Sequence, residues 1–281
     1  MNDQQQAIEQ AAAWLRDTDG LLVTAGAGIG VDSGLPDFRG NEGLWRAYPA
    51  LGAAQIGFQS IANPTSFLDD PLLAWGFYGH RLKLYREIVP HAGFAILQRW
   101  AQRMPRGAFV RTSNVDGQFQ RAGFAEETVA ECHGSIHHLQ CVLPCCSRIW
   151  PATEFEPQVD EQACRLVGPL PGCPDCGGIA RPNVLMFYDA AWLSRRTDAQ
   201  EARLQRWIGS TRRIVTVELG AGTSLPTIRR FSERHGPRVI RINLREPQID
   251  PEKGIGIQGG ALETLVALDH ALDQADGAPR R

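Results

Sequence analysis

Short apolar runs alternate with segments of helical composition along most of the chain. Leu21–Thr24 is an apolar run that ends in glycine-rich sequence, as a buried parallel strand followed by a turn does. The same pattern predicts strands at Ala108–Thr112, Thr128–Glu131, Val184–Phe187, Arg213–Leu219 and Arg238–Asn243. It predicts helices at Ala7–Arg16, Pro71–Ile88, His91–Arg103, Ser194–Ile208, Leu225–His235 and Ala261–Asp273. Strands that alternate with helices favour a parallel sheet covered on both faces.

The segment at 136–180 differs in composition from the rest of the chain. It holds six of the seven cysteines and many prolines and glycines, and it lacks helical periodicity. Four of its cysteines form two closely spaced pairs with 27 residues between them, a spacing typical of a closed tetrahedral zinc site without a catalytic role. The predicted ligands are Cys141, Cys145, Cys173 and Cys176, with Cys146 as an alternative to Cys145.

These patterns predict an α/β fold in which a Rossmann-type doubly wound parallel sheet carries an inserted small zinc-binding and helical domain. We expect the large domain to comprise residues 1–40, 91–135 and 181–275. The small domain is expected to combine a helical part at 41–90 with the zinc module at 136–180.

Composition limits the class of protein without identifying it. Hydrophobic residues make up 43% and charged residues 21% of the 281 positions, as is usual for a soluble globular enzyme. The net charge of −2 offers no basis for binding nucleic acid or an anionic membrane. The polar N-terminus is unlike a signal peptide, and no apolar stretch approaches the roughly 20 residues of a membrane span. We therefore expect a cytoplasmic protein.

A glycine-rich loop follows the first predicted strand. Residues Thr24–Gly30 would let the backbone approach a pyrophosphate, although Val31 stands where the third glycine of G-x-G-x-x-G belongs. A tight strand-to-helix turn would have the same composition. The continuation brings together Asp37, Phe38 and Arg39, which offer a hydrogen-bond acceptor, an apolar cover and a fixed cation.

Polar side chains stand at the ends of the later strands. Asn114 and Asp116 follow the second strand, and His133 closes the third. Ligands bind at the carboxyl ends of strands in open α/β sheets, and a histidine pKa near neutrality suits a general base. Local turn capping by Asn and Asp is the alternative. Gly220–Leu225 adds backbone N–H groups and hydroxyls after a later strand, and Asn243 ends the next one.

Taken in order, the motifs resemble those of the sirtuin family. They are GAGIGVDSGLPDFRG, TSNVDGQFQRAG, ECHGS, the four cysteines, RPNVLMFYD, GAGTSL and IN, and they span about residues 10–272. The resemblance implies a Rossmann-type large domain, a small domain with one structural zinc, and NAD consumed as a co-substrate. It also implies an acylated-lysine protein or peptide as the partner, and it leaves the oligomeric state open.

The resemblance assigns roles to individual residues. Phe38 would lie over the nicotinamide, Asn114 would act in catalysis beside the nicotinamide and its ribose, and His133 would be the base that activates a ribose hydroxyl. The NAD-binding residues implied in this way are Gly26, Ala27, Gly28, Asp37, Phe38, Arg39, Ser113, Asn114, Asp116, Gly222, Thr223, Ser224, Asn243, Gly260 and Ala261. The substrate is expected to contact Tyr78, Arg81, Val184, Met186 and Phe187.

The implied reaction is NAD-dependent deacylation of protein lysine, of the deacetylase or desuccinylase type, which yields nicotinamide and O-acyl-ADP-ribose. Tyr78 and Arg81 resemble the Tyr-x-x-Arg pair with which desuccinylase-type sirtuins bind an acyl carboxylate, and residues three apart share a helix face. A helix that packs Phe77 and exposes Arg81 is the alternative.

Four positions depart from the family pattern, one of them Asp189, which replaces a glutamate. Gly30 replaces a serine of the first loop, and Ser113 replaces a glutamine that contacts the ribose, so NAD binding would be weakened or reshaped. Tyr188 stands where the family has glycine, in the strand that pairs with peptide substrate, and its bulk opposes ordinary peptide docking. Two alternatives therefore stay open. One is an NAD glycohydrolase or mono-ADP-ribosyltransferase on the same scaffold, and the other is a non-catalytic module that binds NAD or ADP-ribose.

Overall fold

The computed structural model describes residues 3–36, 40–235 and 238–276. The predicted site residues Asp37, Phe38 and Arg39 lie outside the described residues. The α-helices of the described part are α1 (Asp3–Arg16), α2 (Gly40–Ala47), α3 (Pro49–Ala53), α4 (Phe58–Ile61), α5 (Ser66–Asp69), α6 (Pro71–Glu87), α7 (Ala92–Arg103), α8 (Gln118–Arg121), α9 (Arg195–Ser210), α10 (Thr227–Arg234) and α11 (Ala261–Asp276). Its strands are β1 (Gly20–Ala25), β2 (Ala108–Thr112), β3 (Val129–Glu131), β4 (Gly134–Cys141), β5 (Ile149–Pro151), β6 (Val159–Asp160), β7 (Arg165–Leu166), β8 (Ala180–Val184), β9 (Ile214–Leu219), β10 (Val239–Asn243) and β11 (Gly254–Gln258).

The main sheet has the strand order β11-β10-β9-β1-β2-β3, and all its neighbouring strands are parallel. The chain runs outward from β1 through β2 to β3 and then returns to β9 on the other side of β1. The strand order therefore reverses between β1 and β9. In open α/β sheets, ligands bind outside the carboxyl ends of the strands at such a switch point. The predicted Rossmann-type doubly wound sheet is confirmed.

Helices cover both faces of this sheet, which explains why β1 is buried along its whole length. Leu21 and Val23 of β1 belong to the larger apolar cluster, which includes residues of α1, α7 and α11. Leu22 points the other way, into a cluster with Leu204 of α9 and Phe231 of α10. The continuous apolar run of the sequence thus supplies side chains to two cores.

A second part of the molecule contains an antiparallel sheet in the order β5-β4-β8 and a hairpin of β6 and β7. Its apolar core joins Trp75 and Leu82 of α6 with Ile136 and Leu139 of β4. Residues from the two stretches predicted for the small domain therefore share one core. The bounds of the two domains stay a prediction.

The strand predicted near Val184–Phe187 is wrong in position. Strand β8 ends at Val184 and pairs antiparallel with β4, so it belongs to the smaller sheet. Beyond it, the amide of Leu185 donates to the carbonyl of His133 at 2.9 Å, and the amide of Phe187 donates to the carbonyl of Ala62 at 2.9 Å. These residues form a connecting segment with its own backbone partners.

The sequence pattern also omits β4 and β11. Strand β11 contains Gly254 and Gly256, which suggest a loop, yet both glycines allow a close backbone approach. A Cβ on Gly254 would lie 2.0 Å from the carbonyl oxygen of Val239, on the neighbouring strand. Separately, no helix within the described ranges combines the length and the apolar character that crossing a bilayer requires.

Replacing Gly76 with alanine is expected to destabilise the protein by about 2 kcal/mol, because an added methyl group here overpacks a closed contact. A Cβ at position 76 in α6 would lie 2.0 Å from the carbonyl oxygen of Cys164. Gly209 in α9 is the matched control, since no atom of the described residues beyond its own helix and chain neighbours lies within 4 Å of its Cβ position. Gly209→Ala is expected to stabilise by about 0.5–1 kcal/mol through helix propensity. Urea unfolding measures the change in the free energy of unfolding for both variants. Changes of the same sign would contradict the close contact between Gly76 and Cys164.

Candidate active site

A cavity of about 520 Å³ opens at the carboxyl ends of the central strands of the main sheet. One side is formed by the loops after β1, β2, β3 and β9, and the other by α6 and the segment after β8. The predicted site residues that line it are Gly26, Ala27, Gly28, Tyr78, Arg81, Ser113, Asn114, Asp116, His133, Val184, Met186, Phe187, Gly222, Thr223 and Ser224. Side chains that are remote along the sequence therefore meet at the switch point of the sheet.

Among the predicted NAD-binding residues that the structure describes, three lie outside the lining of this cavity. Asn243 is buried, with its side-chain amide donating to the carbonyl of Ala221 at 2.9 Å and its Oδ1 accepting from the amide of Glu246 at 3.0 Å. Asn243 thus supports the Gly220–Leu225 loop from behind. Gly260 and Ala261 stand at the start of α11.

Several lining residues are not predicted from the sequence, namely Phe58, Ala62, Tyr85 and Glu246. Tyr85 lies four residues after Arg81 on the same helix, so helical periodicity places both on one face and could have identified Tyr85. Phe58 and Ala62 come from a region of short helices without clear periodicity, and Glu246 follows a strand within a loop. For these three, the sequence carries no comparable signal.

Two glycine loops touch at the floor of the cavity. The amide of Gly28 donates to the carbonyl of Gly220 at 3.1 Å, and the amide of Gly26 donates to the carbonyl of Leu219 at 3.0 Å. A Cβ on Gly28 would lie 2.7 Å from the Cα of Gly220. Gly220 itself has a φ of +60°, in the left-handed region. Contact between the loops therefore requires glycine here, in addition to any requirement of a bound phosphate.

The loop after β2 is tied to the loop after β1. The side-chain amide of Asn114 donates to the carbonyl of Gly26 at 3.1 Å, and its backbone amide donates to the hydroxyl of Thr112 at 3.0 Å. The hydroxyl of Ser113 contacts the carbonyl of Ala25 at 3.4 Å. Asn114 is thus held against the predicted NAD loop, while Ser113 turns its short side chain towards the sheet backbone.

Asp116 is a buried carboxyl group in the cavity wall. Burial raises the pKa of Asp116 to about 6, and the nearby carboxylate of Glu131 acts in the same direction. A hydrogen bond from the amide of Gln118, at 2.9 Å, and the positive charge of Arg81 oppose this rise. Asp116 therefore changes charge close to neutral pH.

His133 follows β3 and faces the same cavity. Burial lowers the pKa of His133, the positive charge of Arg111 lowers it further, and a backbone hydrogen bond with Ser113 opposes both effects. The imidazole is therefore neutral at pH 7 and can accept a proton.

The α6 wall places a buried cation beside the cavity. The alternative in which α6 exposes Arg81 is wrong, because Arg81 is only 9% exposed. Its guanidinium carbon lies 5.2, 5.8 and 5.3 Å from the ring centroids of Phe77, Tyr78 and Tyr85. Its Nε and Nη2 donate to the Tyr85 hydroxyl oxygen at 2.9 and 2.6 Å. Aromatic rings and one phenol thus stabilise the charge at the wall.

The segment after β8 is fixed by a buried ion pair. Arg181 donates through Nη1 and Nη2 to the two carboxylate oxygens of Asp189, both at 2.8 Å, and both side chains are fully buried. Between them, Tyr188 has a φ of +57° and is 83% exposed. A non-glycine residue in this left-handed region costs about 1–2 kcal/mol. The Tyr188 side chain therefore extends into solvent, outside the lining of the cavity.

The four predicted zinc ligands meet in one place, where their sulfur atoms all lie within 4.8 Å of one another. The Sγ–Sγ distance is 3.7 Å for Cys141 and Cys176 and 3.6 Å for Cys145 and Cys173. Four thiolates at the usual zinc–sulfur bond length of about 2.3 Å, in tetrahedral geometry, lie about 3.8 Å apart. The cluster therefore fits one structural zinc ion.

Cys146, the alternative ligand, lies outside the four-sulfur cluster, although its Sγ is within 4.8 Å of the Sγ of Cys173. Its Sγ donates to Oδ2 of Asp175 at 2.9 Å, and Oδ1 of the same carboxylate accepts from Arg148 at 2.9 Å. Cys145 is therefore the second member of the four-sulfur site.

Known proteins are similar to this chain along most of its length. The sequence model of the Sir2 family matches residues 26–214. The chain is 35% identical over 251 residues to NAD-dependent protein deacylase 2 of Pyrobaculum aerophilum, with 88% of each sequence covered. It is 30% identical over 270 residues to the NAD-dependent protein deacylase of Methylococcus capsulatus, covering 94% of this chain and 96% of that protein. A solved Sir2 homologue in complex with NAD is 25% identical and has a TM-score of 0.66, covering 95% of this chain and 94% of the other.

Removing one zinc ligand is expected to release the metal and to cost more than about 3 kcal/mol, because metal binding contributes directly to folding free energy. Cys145→Ser tests this expectation, with Cys146→Ser as the matched control because Cys146 bonds to Asp175. Metal content by mass spectrometry and thermal unfolding are the measurements. Full zinc content in Cys145→Ser, or equal losses in both variants, would contradict the assigned ligand set.

Replacing Asp116 with asparagine is expected to stabilise the protein at pH 8 but not at pH 4. The folded-state pKa of Asp116 is raised from 3.8 to about 6, so the folded protein binds this proton more tightly than the unfolded chain. Wild-type stability therefore falls as pH rises through that window. Asp116→Asn avoids the loss, which amounts to about 2–3 kcal/mol at pH 8. Urea unfolding at both pH values measures the difference, and a difference independent of pH would refute the assignment.

Proposed function

This chain belongs to the Sir2 family, and we propose that it is an NAD-dependent protein-lysine deacylase. It transfers the acyl group of an acylated lysine to ADP-ribose and releases nicotinamide. The observation that carries the proposal is that neutral His133, Asn114 and Asp116 line one cavity together with the apolar and cationic wall of α6. The names of the two relatives described above, both NAD-dependent protein deacylases, support the same activity.

We assign the two glycine loops to the phosphates of NAD. Residues Gly26–Gly28 and Gly220–Ser224 line the cavity. The amides of Gly26 and Gly28 already donate to carbonyl groups, so we assign the pyrophosphate to other N–H groups of the two loops, such as those of Ala27 and Gly222. Thr223 is held by the carboxylate of Glu246, which accepts from its hydroxyl at 2.7 Å. Asp37, Phe38 and Arg39 remain predicted partners of NAD.

The proposed reaction uses His133 as a proton acceptor. The carbonyl oxygen of the acyl-lysine attacks the ribose carbon, and the bond to nicotinamide breaks. His133 then takes a proton from a ribose hydroxyl, whose oxygen attacks the carbon of the resulting imidate. Water completes the release of lysine and O-acyl-ADP-ribose. Asn114 and Asp116 line the same cavity, and we assign to them the binding of the nicotinamide and its ribose during these steps.

The acyl-lysine would enter along the segment after β8. Val184, Met186 and Phe187 line the cavity on that side, and Phe187 packs edge-on against Phe58 with ring centroids 5.8 Å apart. The acyl group would then reach α6, where Tyr78 and Arg81 form the wall. A buried guanidinium at the end of the channel favours an acyl chain with a terminal carboxylate, such as succinyl.

An NAD glycohydrolase or ADP-ribosyltransferase is the second candidate. Its support is Ser113, whose hydroxyl contacts the carbonyl of Ala25 where the family uses a longer glutamine to contact the ribose. Weaker control of the ribose would favour attack by water. A non-catalytic module that binds NAD or ADP-ribose is the third candidate, and it would bind NAD without turnover.

His133→Ala is expected to reduce peptide-dependent formation of O-acyl-ADP-ribose by about 100-fold or more, the usual contribution of a general base. The pure protein is incubated with NAD and with acetyl- or succinyl-lysine peptide, and nicotinamide and O-acyl-ADP-ribose are measured by mass spectrometry. His270→Ala, an exposed histidine on α11, is the control and is expected to retain wild-type activity.

The outcomes separate the three candidates. Release that requires an acylated peptide, with an equal amount of O-acyl-ADP-ribose, supports the deacylase and identifies its acyl preference. Release without any peptide favours the glycohydrolase or transferase. Tight NAD binding with no release over a long incubation favours the non-catalytic module.

A further inference from the structure

Tyr85 lines the cavity but has no counterpart in the Tyr-x-x-Arg motif. We propose that Tyr85 is a specificity-determining residue, which holds the Arg81 guanidinium in place and donates its own hydroxyl proton to the terminal carboxylate of an acidic acyl group. The inference rests on the proposed deacylase function and adds a third recognition residue to the α6 wall.

The helix places the three residues on one face. Tyr78, Arg81 and Tyr85 are separated by three and four positions on α6, and all three line the cavity. Tyr78 is 1% and Tyr85 is 5% exposed, so the wall presents buried aromatic rings around a cation. Recognition of an acyl chain therefore takes place on a rigid helix rather than on a loop.

The hydrogen bonds fix the plane of the guanidinium. Nε and Nη2 of Arg81 both donate to the Tyr85 oxygen, at 2.9 and 2.6 Å. These bonds use one edge of the guanidinium and two of its five N–H donors, so the other donors are directed away from Tyr85. A flexible arginine loses rotamer freedom when it binds a carboxylate, and a guanidinium that is already held loses less.

The Tyr85 hydroxyl retains a proton that it can donate. Its oxygen accepts from Arg81, while among the described residues no acceptor is bonded to its own O–H. Burial raises the pKa of Tyr85 above its usual value and raises that of Tyr78 to about 12, so both phenols stay protonated at neutral pH. A ligand oxygen in the cavity can therefore accept this proton.

These donors match a carboxylate better than a methyl group. A buried carboxylate needs a cation and several hydrogen bonds to offset its desolvation, and Arg81 and Tyr85 together supply both. An acetyl group ends in a methyl group and would make neither contact. Loss of the Tyr85 hydroxyl should therefore affect the binding of succinyl-lysine and leave that of acetyl-lysine unchanged.

Tyr85→Phe is the test variant, because it keeps the ring beside Arg81 and removes only the hydroxyl. Tyr48→Phe is the matched control, since it removes another buried hydroxyl of the same core, one that bonds to Nδ1 of His80 at 2.8 Å. Kd for succinyl- and acetyl-lysine peptides is measured by calorimetry with wild type, both variants, Arg81→Met and the double variant. Steady-state KM and kcat are measured with the same peptides.

Tyr85→Phe is expected to raise Kd and KM for the succinyl peptide about 10-fold, as loss of a hydrogen bond to a charged group does. The values for the acetyl peptide and kcat should stay within about twofold, and Tyr48→Phe should match wild type. Because the two residues act as a unit, Tyr85→Phe should add little in the Arg81→Met background.

Other outcomes overturn the inference or the function separately. Equal effects of Tyr85→Phe on both peptides, additive effects in the double variant, or a wild-type Kd that does not favour succinyl would each overturn the role of Tyr85. No turnover of any peptide by wild type would overturn the deacylase function. The binding measurements would still decide the role of Tyr85 in that case.

Discussion

The backbone contact between the loops after β1 and β9 determines where the cavity lies. Gly28 and Gly220 approach so closely that a single Cβ on Gly28 would separate them. The loops are joined by an amide–carbonyl hydrogen bond of 3.1 Å, so no side chain has to hold them together. Asn114 and Asn243 then bond to carbonyl groups of these two loops. The floor of the site is thus a backbone unit, and the loop after β2 is tied to it through Asn114.

Burial favours the neutral form of two titratable groups of the cavity, His133 and Asp116. It lowers the pKa of His133 and raises that of Asp116. A neutral imidazole is what the proposed proton transfer requires. The nicotinamide ring of oxidised NAD is a cation, and its approach to Asp116 would favour the ionised carboxylate. The proposed substrate would therefore supply the positive charge that keeps Asp116 ionised.

The sequence predicted the parallel sheet and most of its loops because backbone requirements are visible in residue type. Glycines at 26, 28 and 220 mark places where no side chain fits, and short apolar runs mark strands buried on both faces. The sequence did not show which of two adjacent residues of the same type serves a given role. Cys145 and Cys146 are chemically identical, and only the fold directs one towards the other sulfurs and the other towards Asp175.

Long-range packing accounts for the other differences. The strand predicted near Val184–Phe187 begins earlier because its partner is β4, an element that the pattern did not reveal. Asn243 ends a strand as predicted. Its side chain, however, forms hydrogen bonds with the backbone of Ala221 and Glu246 and does not line the cavity. Helical periodicity could have placed Tyr85 on the same face of α6 as Arg81. The hydrogen bond between the two depends on rotamers, which a sequence does not specify.

The eight-residue strand β4 begins directly after His133 and ends at Cys141, the first zinc ligand. Its partner β8 follows Cys173 and Cys176 in the chain. During synthesis, His133 therefore emerges long before the segment that closes the cavity beside it. Chelation of the four cysteines shortens the loop between β4 and β8 and lowers the entropy cost of pairing them. Metal binding would thus favour the pairing of β4 with β8, the two strands that lie beside His133 and the segment lining the cavity.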